Sequence, residues 1–591
     1  MRARYFRPTN PATRRNCRAA KEIAMDKDKK PAAAKAAAMP TDNAATASDV
    51  TPPDSANEAV HVTSGKRQYL IAPRRGVLAR QAAVTPMSAH DLDNAVGRLP
   101  GVEVVRVINS HKNAQMMSAR PDEATDTYVV KMDPANAQVL QATAPPGMIV
   151  EEDHPLGYGK KPQQESGAEL RPQAAVASMI LRPVTIRVLG ANDQPEPGVP
   201  VTLAGDGFPV SGTTDARGET TLTVAQMAPG PLQSLAVRPP HTYWNVYLPA
   251  PLLSSDQANV VRLTPLSQPN PNVPPRALLG WGQRLMGLDE LPDTATGRGV
   301  RVAIVDSGAD ASHPLLNHIL RGADLTNDQN PDTWKDDVIG HGSHCAGVIA
   351  ARISPQAADA QMAMRGFVPD AEIHVLKIFP GGQFSTLIQA LDYCIDHDID
   401  VVNLSLGAPQ ASLAVEQKLM EAVQSGVACI VAAGNSGGPV QYPASSPYVL
   451  AVSALGLQRE LPGNTWEQTQ IVAQAATPDG LFAPTFSCHG PQIGVCGPGV
   501  GVVSTVPGSA FNAESGTSMA APHITGLAAL LLSDPQIASH LGPRRPERVA
   551  ALFHLIRMIC TPIVQYDVAN RFGAGLPRIQ NLRQLLQQAA R

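Results

Sequence analysis

No run in this 591-residue sequence approaches the roughly 18 consecutive apolar residues that a bilayer-spanning helix requires, so no membrane span is expected. Charge of one sign is also lacking. The formal net charge is -3, and no basic stripe carries interleaved aromatics, which argues against nucleic acid as a main partner. Cysteine is sparse: Cys17, Cys345, Cys394, Cys429, Cys488, Cys496 and Cys560 are scattered and odd in number, and several lie in apolar runs. That distribution excludes a disulfide framework and a cysteine metal site, and it predicts buried thiols. The basic start Met1-Arg2-Ala3-Arg4 is not followed by the 7–15 apolar residues of a secretory signal. Met25 is an alternative start.

What is present is chemistry concentrated in three stretches. The first is Glu514-Ser515-Gly516-Thr517-Ser518-Met519-Ala520-Ala521-Pro522-His523, followed by an apolar helical run through Leu527, Leu530 and Leu531. It predicts a serine presented at a tight turn into a helix, with Pro522 in the first turn, where a missing N–H does no harm. A helix start offers free N–H groups to a developing negative charge. A lone serine in such a place is ordinarily an N-cap. The second stretch, Val302-Ala303-Ile304-Val305-Asp306-Ser307-Gly308, predicts a buried parallel strand with Asp306 at its C-terminal tip. The third, Gly340-His341-Gly342-Ser343-His344-Cys345-Ala346-Gly347, opens another helix.

Asp, His and Ser in that order, each at the end of an element, resemble the subtilases, the subtilisin-like serine endopeptidases (peptidase family S8). The resemblance covers residues from about 280 to 590. It implies Ser518 as nucleophile, His341 as general base and Asp306 as the group that orients the imidazole. Asn435, in Ala432-Ala433-Gly434-Asn435-Ser436-Gly437, matches the oxyanion asparagine. Gly382, Gln383 and Phe384 on one side, and Ser405, Leu406 and Gly407 on the other, match the edges between which an extended peptide is bound. The family's commonest calcium site has an aspartate after the His-Pro that follows the catalytic aspartate. Here Leu315 follows His313-Pro314, and the Asn-rich loop expected after the histidine helix is replaced by residues 353–369. No metal ligand and no cofactor are therefore expected. Asp328, Asp332, Asp336 and Asp337 read as a solvated acidic loop, with a calcium ion held there as the alternative, and His344 and His523 read as packing residues.

The remaining chain divides by pattern. Residues 1–65 have the composition of a disordered leader. Residues 66–158 follow a βαββαβ order, with Ser88 and Asp133 as helix caps and Pro134 at a first helical position. This predicts a ferredoxin-like α+β domain. Standing before a subtilase, it resembles the inhibitor-type propeptide. A polar linker, 159–176, leads to residues 177–266, where short strands and turns predict a small all-β sandwich, read as a spacer, with a protein- or glycan-binding module as the alternative. A linker, 267–284, precedes a doubly wound, mostly parallel α/β catalytic domain at 285–591.

The expected partners are polypeptide substrates and the chain's own propeptide as intramolecular inhibitor. Self-cleavage is expected between residues 155 and 162. A peptide ligase and a silent peptide-binding fold are the rival readings. The scattered cysteines and the absent signal favour the cytoplasm, with secretion as the alternative.

Overall fold

Runs such as Val302–Val305 and Cys429–Ala432 are apolar at every position, so both faces of their strands must be covered. Parallel sheets flanked by helices meet that demand. In the computed structural model, which describes residues 65–99, 101–109, 123–158, 180–266, 280–327, 329–353, 364–563 and 570–589, these runs form the centre of a nine-stranded sheet. Its order is Arg321–Asp324, Glu372–Lys377, Arg301–Asp306, Val401–Leu404, Ala428–Ala432 and Leu450–Leu457, all parallel, with Ile493–Pro498 also parallel beside the last. An antiparallel pair, Leu481–Pro484 and Ile471–Ala476, extends the edge. The expected leader lies outside the described residues, and so do Asp328 and much of 353–369. Among the described residues no helix is long and apolar enough to cross a membrane.

Strand order reverses beside Arg301–Asp306: the chain goes first to the edge at Arg321–Asp324, comes back in through Glu372–Lys377, then crosses to the other side at Val401–Leu404. A crevice forms at the C-terminal ends of strands where such a reversal occurs. Asp306 and Ser405 end up there. Helices His341–Ala350 and Thr517–Ser533 are buried along almost their whole length against the sheet.

Of the linker expected at 267–284, residues 267–279 lie outside the described residues. Trp281–Leu285 is already a helix, and Trp281 is buried in the sheet's main core. Its short length and glycine-flanked start hide it from a periodicity argument.

Residues 67–152 form a four-stranded antiparallel sheet ordered Glu103–Ile108, Thr127–Met132, Arg67–Pro73, Met148–Glu152. Ser88 accepts from Asp91 N–H and Asp133 from Ala135 N–H, as N-caps do. Alternation along Arg67–Pro73 divides the sheet's two faces. Tyr69 and Ile71 pack on the module's own helices, while Leu70 and Ala72 join a core built by helices Phe384–Asp396 and Leu413–Gln424.

Carboxylates from the last strand and the residue after it cap those two helices. Glu151 accepts from Leu413 N–H (2.9 Å), Ala414 N–H (3.2 Å) and the Ser412 hydroxyl, and Asp153 accepts from Ser385 N–H (2.9 Å). A buried ion network adds to this: Arg75 to Glu421 at 2.8 Å, Glu421 to Lys418 at 2.8 Å and Lys418 to Asp392 at 2.7 Å.

Residues 180–262 form two sheets over one core. One sheet holds Val246–Pro249, Ser234–Val237, Pro200–Ala204 and Val210–Thr213; the other holds Asn259–Arg262, Ile180–Leu189 and Glu219–Gln226. Val184, Ile186 and Val188 of one meet Val201, Leu203, Leu235 and Val237 of the other.

Candidate active site

Asp306 ends its strand fully buried, and its Oδ1 lies 2.8 Å from His341 Nδ1. His341 is the first residue of its helix, with Gly340 before it in the left-handed region (φ 86°). A buried carboxylate joins the two elements. Asp337 accepts from Ser307 Oγ (2.8 Å), Gly340 N–H (2.8 Å), Ser343 N–H (2.9 Å) and Ser343 Oγ (2.7 Å). Ser307 Oγ in turn accepts from Gly342 N–H at 2.9 Å. This corrects the expectation of a solvated acidic loop. Asp332 and Asp336 are exposed, but Asp337 is 5% exposed and bound on both oxygens. Burial pushes its carboxyl up, and the hydrogen bonds oppose the shift.

Ser518 is the second residue of helix Thr517–Ser533. Pro522 is not in the first turn, as expected, but inside the helix. The helix begins only after Gly516, whose backbone is extended, so Pro522 falls four residues beyond Ser518. Its missing N–H would otherwise have bonded the Ser518 carbonyl. That carbonyl accepts instead from Ser405 Oγ (2.9 Å) and from the Cys345 thiol (3.4 Å). Burial, with Asp306 next in effect, raises the Cys345 pKa well above that of an ordinary thiol, which keeps the S–H available as a donor. Cys345, Asp306 and His341 place potential metal donors within 4.8 Å of one another, the one such group among the described residues. Hydrogen bonding within the site already accounts for this closeness.

Asn435 follows strand Ala428–Ala432 and is partly exposed. Its Oδ1 accepts from Thr517 N–H (2.8 Å) and Thr517 Oγ1 (2.9 Å). An N–H donor must face the amide oxygen, so the flip is fixed and the NH₂ end is left to donate. A Cβ on Gly516 would come within 3.1 Å of that nitrogen, which explains the glycine.

The two expected edges enclose a segment of the chain itself. Leu156 N–H donates to Gly382 O (2.8 Å), and Phe384 N–H donates to His154 O (3.1 Å). Gly157 and Gly407 exchange both backbone bonds, at 2.9 and 2.8 Å. Pro155 bridges Gln383, and the Gln383 side chain donates to Asp153 O at 3.4 Å. Tyr158 lies with its ring centroid 5.5 Å from that of His341 and 5.1 Å from that of Phe379.

Two edge residues differ from expectation in what they offer. Ser405 is fully buried and its hydroxyl is committed to Ser518. Phe384 is fully buried too, and its ring meets the segment edge-on at His154, with centroids 5.9 Å apart. Leu406 is buried beside Leu156 in one core.

The calcium position of the fold does not fit a cation. Leu315 is 1% exposed in the hydrophobic core, and its N–H donates to His313 Nδ1 (3.1 Å). His344 and His523 bond carbonyls, Val502 O at 2.9 Å and Met519 O at 2.8 Å.

A parallel sheet with an aspartate–imidazole pair at its switch point and a serine opening the facing helix defines a subtilisin-like α/β fold. The chain belongs to the subtilase family, whose sequence model, described as "Subtilase family", matches residues 297–573. It is similar to Subtilisin E of Bacillus subtilis (strain 168), 35% identical over 246 residues, covering 40% of this chain and 56% of that protein. The subtilisin of Bacillus pumilus is 34% identical over 246 residues, 40% of this chain and 78% of its own length. The major intracellular serine protease of Bacillus subtilis (strain 168) is 30% identical over 279 residues, 42% of this chain and 78% of its own. The chain thus spans little more than half the length of Subtilisin E.

Proposed function

We propose that the chain is a serine endopeptidase that hydrolyses extended polypeptide segments through an acyl-enzyme on Ser518. In this reading His341 takes the Ser518 proton and later returns it to the leaving amine. Asp306 holds the ring and stabilises the imidazolium. The Asn435 amide and the Ser518 N–H receive the oxyanion. No cofactor is invoked, and chelation with EDTA is expected to leave activity and melting temperature unchanged. A loss reversed by calcium would overturn that part.

One observation carries the proposal: His154–Tyr158 runs as an added strand between Gly382–Phe384 and Gly407, and ends beside His341. A bound peptide would take the same path. Leu156 is 7% exposed and Tyr158 rests on Phe379, so the reading favours substrates with a large aliphatic residue two positions before an aromatic one. We further propose that residues 66–158 are a propeptide of ferredoxin-like fold that blocks the cleft, and that 177–266 is a β-sandwich retained after processing.

Mass spectrometry of the purified chain, with N-terminal sequencing, tests this. A new N-terminus is expected between residues 159 and 162, absent in Ser518→Ala. A start after Leu266, or cleavage that persists in Ser518→Ala, would overturn it.

A further inference from the structure

The two-sheet module shares a core with the catalytic domain. Trp244 lies between strands Ser234–Val237 and Val246–Pro249. Its own module holds its backbone, since Trp244 N–H donates to Thr264 O at 2.9 Å. Its side chain belongs elsewhere. The residue is 8% exposed and falls in one buried cluster with Met519, Ala520 and Ile524 of the helix that carries Ser518. An indole buried in this way removes some 150–250 Å² from water, the largest single contribution a residue makes to a contact.

The ring rests on Gly501. A Cβ at Gly501 would approach the indole to 3.0 Å, and its φ of +60° already disfavours other residues. The segment 499–501 is what holds the serine's turn in place. Gly516 N–H donates to Gly499 O at 2.8 Å, and Gly501 N–H donates to Ser515 Oγ at 2.9 Å. Ser515 Oγ donates onward to Glu467 at 2.9 Å. Two backbone bonds fix the module to the same region: Thr242 N–H to Phe511 O (3.3 Å) and Tyr247 N–H to Asn464 O (2.8 Å). Phe511 is on strand Ala510–Glu514, which runs directly into Ser515 and Gly516.

We propose that the two-sheet module is a positioning element of the active site, with Trp244 as its contact residue. The indole backs residues 499–501, and those residues set the turn that presents Ser518 and its N–H. A spacer would be joined by linkers alone, whereas this module closes the back wall of the serine's turn. The inference rests on Ser518 being the nucleophile.

The test uses the full chain with Trp244→Ala, Trp244→Leu and Trp244→Phe. The measurements are kcat and KM on a peptide substrate, and the second-order rate of labelling by a fluorophosphonate, which Ser518 Oγ attacks with loss of fluoride. All are expressed per folded molecule. For Trp244→Ala we expect kcat and labelling rate to fall at least tenfold with KM within about twofold, and Trp244→Phe to retain most of both. If the alanine variant does not fold, Trp244→Leu must show the same split. A lowered melting temperature with unchanged kcat and labelling would overturn the inference and leave the module a stabiliser only. Failure of the fluorophosphonate to label Ser518 in the unsubstituted chain would instead overturn the assignment of the nucleophile.

Discussion

Asn435 divides its amide between two tasks, and the division sets what its loss would do. The oxygen fixes Thr517, next to the serine; in the proposed mechanism the nitrogen is left for the oxyanion. Asn435→Ala should lower kcat by about 10²–10³ with little change in KM, the range that subtilisin itself shows on losing such a donor. A drop in KM-limited binding with kcat intact would argue for a merely structural asparagine. His523 makes a different prediction, about stability. It is buried in the serine's helix, and burial lowers its pKa to about 4 from 6.5. The unfolded chain therefore binds a proton that the folded chain refuses between those values. Stability is full above about pH 6.5 and falls as pH drops toward 4, by roughly 3 kcal/mol from this residue. Thermal melts of Ser518→Ala across pH 4–8 should show this slope, and His523→Gln should flatten it. At this scale the sequence singled out Asp306, His341, Asn435 and Ser518 because each stands in a run of several telling residues, and the structure brings Asp306 to His341 and Asn435 to Thr517, next to Ser518. It did not disclose Asp337. That carboxylate is one of several acids in its loop, and its burial depends on Ser307 and Ser343, which lie 30 residues before and 6 after it.

Elements were readable where hydrophobic pattern and length agreed. Strands such as Val401–Leu404 and Ala428–Ala432 fall where their apolar runs place them. Those missed are short or half-exposed, such as helix Gly76–Gln81 and strand Val246–Pro249, whose burial pattern shows no alternation. The contacts between elements were not readable either. Arg75, before its short helix, reaches Glu421 on Leu413–Gln424, and Arg75 N–H donates to Gln417 Oε1 at 2.8 Å. Nothing local marks this arginine among the others. Replacing it removes one member of a buried ion network while Lys418 still faces Glu421. Arg75→Met should therefore weaken docking of residues 66–158 by at least tenfold, about 1.4 kcal/mol. A shorter lag between cleavage and the appearance of peptidase activity would reveal it; an unchanged lag would place the holding force in the Glu151 and Asp153 caps.

Across the whole molecule, the sequence pattern divides residues 66–591 into three regions, whereas the structure gathers Ser64–Arg591 into one compact unit whose joints no pattern discloses. The doubly wound sheet followed from alternating strands and helices. The joints lie between residues hundreds of positions apart, Trp244 with Gly501 and Glu151 with Leu413, and no periodicity spans such distances. The proline at 522 shows a further joint, inside the catalytic region. By withholding one N–H it leaves a single carbonyl oxygen, that of Ser518, to be claimed by a thiol from the helix of His341 and a hydroxyl from Ser405, just past strand Val401–Leu404. The helices of His341 and Ser518 and the strand end at Ser405 are thereby pinned at one atom, like three struts meeting at a common bolt. Changes at positions 345, 405 and 522 cannot then be independent. Restoring a donor at 522 would compete for the same oxygen that the other two hold, and the three positions should drift in sequence as a set.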